Sequence, residues 1–166
     1  LNMGKPRVRA VALCVLRQDE RIFVNHAHDP ASGQHFYRPL GGRIKFGENS
    51  QQTIRRELME EIGAEVEVTG YLGTIEAMFT YMGQTRHEIT LIYAGRFVDA
   101  DFYTRQRIAG HEPERPQGNF NCSWQPLERF WSGEAVLYPE GLIGLLDSAN
   151  NDQSGYNRHK IISSSD

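Results

Sequence analysis

What is scarce in this chain narrows the problem first. Its 166 residues hold two cysteines, Cys14 and Cys122, which are far apart and fit no metal-ligand spacing, so neither a disulfide framework nor a thiolate metal cluster is expected. Both are expected to be reduced, buried thiols. No apolar run approaches the roughly 20 residues that a membrane-spanning helix requires, and the N-terminus lacks the short apolar core of a signal peptide. The expected setting is the cytoplasm, with no membrane partner, and Met3 is one candidate for the natural start. An excess of one charge is also missing. Lys and Arg number 18 against 21 Asp and Glu, a formal net charge of -3, which does not suggest a polyanion-binding surface. No internal repeat and no low-complexity segment occurs.

What is present is a chain with 39% hydrophobic residues, enough to bury one core. A single domain is expected over residues 4–149, with a loose polar tail over 150–166. "RVRAVALCVLRQDERIFVNHA" reads as two apolar runs parted by Gln18, Asp19 and Glu20, a hairpin. A short strand is expected at "HFYRPL", and two longer ones meet at Met82-Gly83-Gln84. "YTRQRIAGHEPERPQG", residues 103–118, is polar and proline-bearing and reads as a long loop. "NFNCSWQPLERF" reads as a closing strand and "YPEGLIGLLDSAN" as a last helix. Strands around one central and one terminal helix predict an α+β protein, an α/β/α sandwich with a mixed β-sheet between helices.

The central helix carries the chemistry. Asn49 is a good N-cap, Gln52 can close a capping box, and Gly63 is a natural stop, so the helix is expected to begin at Ser50. At about 100° per residue, Ile54, Leu58 and Ile62 form one apolar stripe, and Glu57, Glu60 and Glu61 fall within one arc of about 100° beside it. A solvated acidic face would lie opposite the stripe and be mixed with basic residues. Glu57 and Glu61, four residues apart, repel each other, and Arg56 alone does not neutralise three carboxylates. A hard divalent ion would, yet spacing alone leaves a metal site and a solvated face about equally supported.

The full pattern decides between them. From Gly42 to Ala64 the sequence reads G-x5-E-x7-R-E-L-x-E-E-x-G-A, with Glu48 as the isolated acid. This resembles the Nudix box of the Nudix hydrolases at every charged and glycine position. It departs at Ala64, where the family usually has a larger aliphatic residue, and at Leu40, where a proline often precedes the glycine pair. The resemblance implies the Nudix fold over most of the chain and hydrolysis of a nucleoside diphosphate linked to another group, by water attack on phosphorus. It implies Mg2+, with Mn2+ as the alternative, held by Glu57, Glu60 and Glu61 with Glu48 and the Gly41 carbonyl. Glu57, Glu60 and Arg56 are the expected catalytic residues, Arg56 by orienting Glu48 or Glu60. Gly41 and Gly42 would let the backbone approach the ion closely. In some branches the base lies on a loop outside the box, which nominates Glu112 and Glu114.

Arg38, Tyr81 and His87 are the candidates for substrate contact. Phe79, Tyr81 and Tyr93 could stack a base, with core packing the commoner use of such strand aromatics. His26, His28 and His35 fall in "NHAHDPASGQHF", read as a polar loop and not expected to be a metal site. The proline that marks many ADP-ribose pyrophosphatases is replaced by Phe79, whereas Tyr81 matches a tyrosine of diadenosine polyphosphate hydrolases. A nucleoside triphosphate, a dinucleoside polyphosphate, a nucleotide sugar and a capped RNA 5' end all stay open as substrates. Nucleic acid is otherwise not expected as a partner, and a homodimer is left open. The alternative from another class is a Nudix-fold module that binds or senses a nucleotide without turnover. Such modules typically lose box glutamates, which this chain retains.

Overall fold

The structure is a computed structural model that describes residues 5–113, 118–151 and 159–163. In chain order it comprises β1 (Val8–Gln18), β2 (Arg21–Asp29), β3 (Gln34–Arg38), β4 (Leu40–Arg43), α1 (Ser50–Ile62), β5 (Val66–Tyr81) and β6 (Gln84–Phe97). These are followed by a 3-10 turn (Ala100–Tyr103), β7 (Arg107–His111), β8 (Asn119–Pro126), the short α2 (Glu128–Trp131), α3 (Leu142–Asn151) and β9 (His159–Ser163). The strands run in the order β7-β8-β2-β1-β6-β5-β9, with β3 on β2 and β4 on β1.

β1 is the keel. Every side chain from Val11 to Leu16 is buried, as a strand covered on both faces requires. Val11, Leu13 and Val15 point into one core with Ile22, Val24, Ile92 and the α3 residues Leu142, Leu145 and Leu146. Ala12, Cys14 and Leu16 point into the other, against Ile54 and Leu58 of α1, Phe23 and Trp124. α1 and α3 therefore cover opposite faces, and the helix-sheet-helix layering expected from the sequence is present. β1 pairs with β6 in parallel and meets β2 only at Arg17 with Ile22 and Gln18 with Arg21. Beyond that turn β2 leaves β1 and carries β3, β8 and β7 with it. Among the described residues, no helix is long and apolar enough to cross a membrane.

Three readings are corrected. The stretch 103–118 is not one loop, because Arg107–His111 forms β7 and pairs with β8. Its alternation, with Ile108 and Gly110 buried between exposed neighbours, is too short to stand out from polar surroundings. The histidines of "NHAHDPASGQHF" lie on strands, His26 and His28 on β2 and His35 on β3. In the stretch expected to be a loose tail, β9 pairs in parallel with β5, and Ile162 packs on the core shared with α3. The rest of that stretch beyond Asn151, residues 152–158 and 164–166, lies outside the described residues.

Candidate active site

Local chemistry sets the helix that bears the acids. Asn49 accepts from the Gln52 amide while the Gln52 side chain accepts from the Asn49 amide, and Gly63 ends the helix in the left-handed region at φ 67. The box satisfies donors that the first turn leaves orphaned. Ile54 and Leu58 are fully buried with Thr53, so packing fixes the rotation of α1 and leaves its glutamates beside the sheet.

The glycine pair is required by close packing within the fold. Both residues lie on β4 opposite β1, Gly41 beside Leu13 and Gly42 beside Ala12. Gly41 has φ 144, and a Cβ there would come within 2.0 Å of the Ala12 carbonyl oxygen. At Gly42 the space belongs to Glu57, whose Oε1 would lie 2.3 Å from an added Cβ. The pair lets α1 and β1 close on β4 and seats the Glu57 carboxylate against the turn.

Arg56 organises one end of the acid row. Its Nε donates to Glu48 Oε1 at 2.6 Å and its Nη2 to Glu48 Oε2 at 3.0 Å, a bidentate pair. Nη2 also reaches the Arg43 carbonyl at 3.1 Å. Nη1 stands between Glu57 Oε1 at 3.0 Å and Glu60 Oε2 at 3.2 Å. Glu48 further accepts from Thr53 Oγ1 at 2.8 Å and the Lys45 amide at 3.2 Å. Hydrogen bonds from Arg56 above all hold the Glu48 carboxyl down at about 2. Arg56 orients Glu48, Glu57 and Glu60 together, one partner more than the sequence suggested.

Glu61 occupies the opposite situation. Burial pushes its carboxyl up to about 8, and the negative charges of Glu57, Glu112 and Glu60 add to the rise while Arg38 opposes it. Glu57 is raised as well, first by burial, against the pull of Arg56. Glu112 is thus within electrostatic range of both. It sits just past β7, where its amide donates to the Gly118 carbonyl at 2.8 Å, so the strand missed in the sequence is what carries this acid to the helix. Glu114 lies outside the described residues. Arg38, half-buried on β3, reaches Glu88 on β6 at 3.8 Å and links the two arms of the sheet beside Glu61.

The remaining candidates have the following contacts. His87 pairs with Glu76 at 3.3 Å. Tyr81 meets Phe36 edge-on at 6.1 Å. Tyr93 shares a hydrogen bond of 2.7 Å with Ser50 at the start of α1 and packs on that core, and Phe79 packs on the other. His26, His28 and His35 stack with one another, His35 Nδ1 3.3 Å from His26 Nε2. The proton affinity of His26 is lowered first by burial, then by the charges of His35, His28 and Arg129.

Two contributors escaped the sequence reading. Thr53, fully buried, braces Glu48, and its position five residues after Glu48, on the buried side of the helix, is the signal that could have found it. Cys122, on β8, lies close enough to Glu61 for that charge to add to the burial that pushes its thiol up; nothing in its sequence surroundings marks it.

Among the described residues, no three His, Cys, Asp or Glu side chains already stand as an ion-holding group. The donor set nonetheless suits a hard divalent ion. It consists of carboxylate oxygens crowded at one helix end, with their charge incompletely balanced by Arg56 and Arg38.

Comparison with known proteins gives the same direction. The family model described as NUDIX domain matches residues 6–139. An oxidized purine nucleoside triphosphate hydrolase from Danio rerio is 31% identical over 100 residues, covering 60% of this chain and 58% of that protein. The NAD-capped RNA hydrolase NudC of Actinobacillus succinogenes is 34% identical over 67 residues, 39% of this chain and 25% of its own. The chain therefore spans less than two thirds of either relative's length. A solved MutT protein from Methanosarcina mazei Go1 superimposes with a TM-score of 0.62 at 16% identity, covering 90% of this chain and 99% of that one, a likeness of fold.

Proposed function

Because the chain belongs to the Nudix family, we propose that it is a divalent-metal-dependent pyrophosphohydrolase. Its substrate would be a nucleoside diphosphate linked to another group, cleaved by attack of water on phosphorus. The observation that carries this reading is the pile-up of Glu57, Glu60 and Glu112 around the buried Glu61 carboxyl, which is pushed up to about 8. Such an arrangement is costly unless a cation and a phosphate chain complete it.

Glu57, Glu60 and Glu61, with the Gly41 carbonyl, would hold Mg2+, or Mn2+ in its place. When bound, the ion neutralises nonbridging phosphate oxygens and lowers the pKa of water. Arg56 keeps Glu57 and Glu60 aimed at the same space by bridging them through Nη1. Glu48 takes a supporting part, since its oxygens are engaged by Arg56, Thr53 and Lys45. Glu112, within electrostatic range of Glu57 and Glu61, is the proposed acceptor of the attacking water's proton. Arg38 meets the negative charge of the phosphate chain.

A nucleoside triphosphate, the class in the Danio rerio relative's name, is the first substrate to try, and a nucleotide-capped RNA 5' end the second. The test is a panel of nucleoside triphosphates, dinucleoside polyphosphates, nucleotide sugars and capped RNA, incubated with MgCl2 or with EDTA. Release of pyrophosphate, phosphate or a nucleoside monophosphate that requires the ion, and is lost in Glu60→Gln and Glu61→Gln, is the expected result. Nucleotide binding with no product from any of them would show a sensing module instead.

A further inference from the structure

Three of the chain's six histidines, His26, His28 and His35, fall on the hairpin of β2 and β3. In a loop they would share no direction, but on strands they do. Side chains two residues apart on a strand point the same way, so His26 and His28 share one face of β2. β3 sets His35 opposite His28 and Tyr37 opposite His26, which brings all four rings onto that face. It is not the face that meets α1. Phe23 of β2 packs into the core under α1 and Val24 into the core under α3, so alternation from Val24 places His26 and His28 on the sheet face opposite the acid row.

The three imidazoles are stacked and open to solvent. The His35 ring centroid lies 4.4 Å from that of His28 and 5.3 Å from that of His26, and all three residues are exposed. His35 Nδ1 and His26 Nε2 stand 3.3 Å apart. That matches the edge of a tetrahedron whose corners lie about 2.0 to 2.1 Å from a central ion, the ordinary Zn–N distance. Burial, then the charges of His35, His28 and Arg129, lower the proton affinity of His26, which favours the neutral imidazole that metals require. Arg129, over the Tyr37 ring at 5.5 Å, opposes a second cation, but its charge is met by Glu134 at 3.1 Å.

We infer that His26, His28 and His35 form a binding site for Zn2+ on the β2–β3 hairpin, separate from the acid row of α1. His26 Nε2 and His35 Nδ1 supply two ligands at the required separation, His28 the third and water the fourth, a set suited to a borderline ion. The carboxylates of α1 suit a hard ion instead, so ligand chemistry sorts the two metals between the two sites. The three side chains do not already enclose an ion, and as exposed groups they reach one by rotation about χ1 and χ2. A bound ion ties β2 to β3 through positions shortly before Arg38, and so stiffens the strand that presents that arginine. The inference goes beyond the hydrolase reading and does not depend on it.

The experiment titrates metal-free protein with ZnCl2 by calorimetry in excess MgCl2, which competes for the acid row, while imidazole 15N NMR identifies the ligating nitrogens. The expected result is saturable binding that moves the 15N signals of His26, His28 and His35 and leaves those of His87 and His111 in place. Affinity should fall about 100-fold or more in His26→Asn and in His35→Asn, at least as much as loss of a supporting partner costs. His111→Asn and Glu61→Gln should bind Zn2+ as the wild-type protein does. Melting temperatures in EDTA check that the exposed replacements leave the fold intact, and the wild-type NMR titration decides the matter without any variant. No binding by the wild-type protein, equal affinity in His35→Asn, or 15N shifts that spare the three histidines overturns the inference. Loss of Zn2+ binding in Glu61→Gln assigns the ion to the acid row and overturns it too. Each of these outcomes leaves the hydrolase reading standing.

Discussion

Glu48 and Glu61 belong to the same motif and bracket the same helix, yet their surroundings are opposed. Around Glu48 every charge is met. Arg56 grips it with two nitrogens, Thr53 and the Lys45 amide complete it, and its carboxyl is held at about 2. Around Glu61 charges of one sign accumulate under burial, and the carboxyl is pushed to about 8. A closed network resists change and positions its neighbours. An open one carries unmet electrostatic demand, which is how sites that await a ligand differ from sites that hold a fold together.

The contrast breaks most visibly at Glu61. Glu61→Gln should lower kcat/KM by about a hundredfold or more, as loss of an ion ligand or of charge stabilisation does. The melting temperature of the metal-free protein should hold or rise, which calorimetry checks. Glu48→Gln should do the reverse, costing about 2 kcal/mol in urea unfolding because a charged hydrogen-bond network loses its anion. Its activity should fall about tenfold, as Arg56 loosens from Glu57 and Glu60. Gly42→Ala tests the seat between them. The new methyl displaces the Glu57 carboxylate, which should cost several-fold in activity and about 1 kcal/mol in stability.

The smallest effect is a pair of slopes of opposite sign in stability against pH, measured in EDTA. The ordinary carboxyl value is 4.5, and Glu61 is raised to about 8 in the fold. The unfolded chain releases that proton first, so stability present below pH 4.5 is lost as pH rises toward 8. Glu48, lowered to about 2, contributes stability above pH 4.5 that is lost as pH falls toward 2. Glu61→Gln should flatten the first slope and Glu48→Gln the second, each seen as a few degrees in melting temperature.

The sequence made one half of this contrast more legible than the other. The bounds of α1 were readable because Asn49, Gln52 and Gly63 act through contacts a few residues away. The buried stripe of Ile54 and Leu58 was readable from helical period. The difference between Glu48 and Glu61 was not, because it depends on partners brought from β3, β7 and β8, and β7 itself hides its alternation in a polar stretch. β9 was missed for a similar reason, with only Ile161 and Ile162 as apolar residues in a polar run. Gly41 and Gly42 stood out in the sequence as a pair, but the atoms that crowd them, the Ala12 carbonyl and the Glu57 carboxylate, appear only once β4 is laid beside β1 and α1.

The most direct test of the account is the melting temperature at pH 8 as MgCl2 is added to metal-free wild-type protein and to Glu61→Gln. A saturable rise of several degrees is expected in the wild-type protein, following the mass-action stabilisation of a folded state that binds an ion, with little or no rise in Glu61→Gln. An equal rise in both, or none in the wild-type protein, would contradict the claim that the open end of α1 is built to hold a divalent ion.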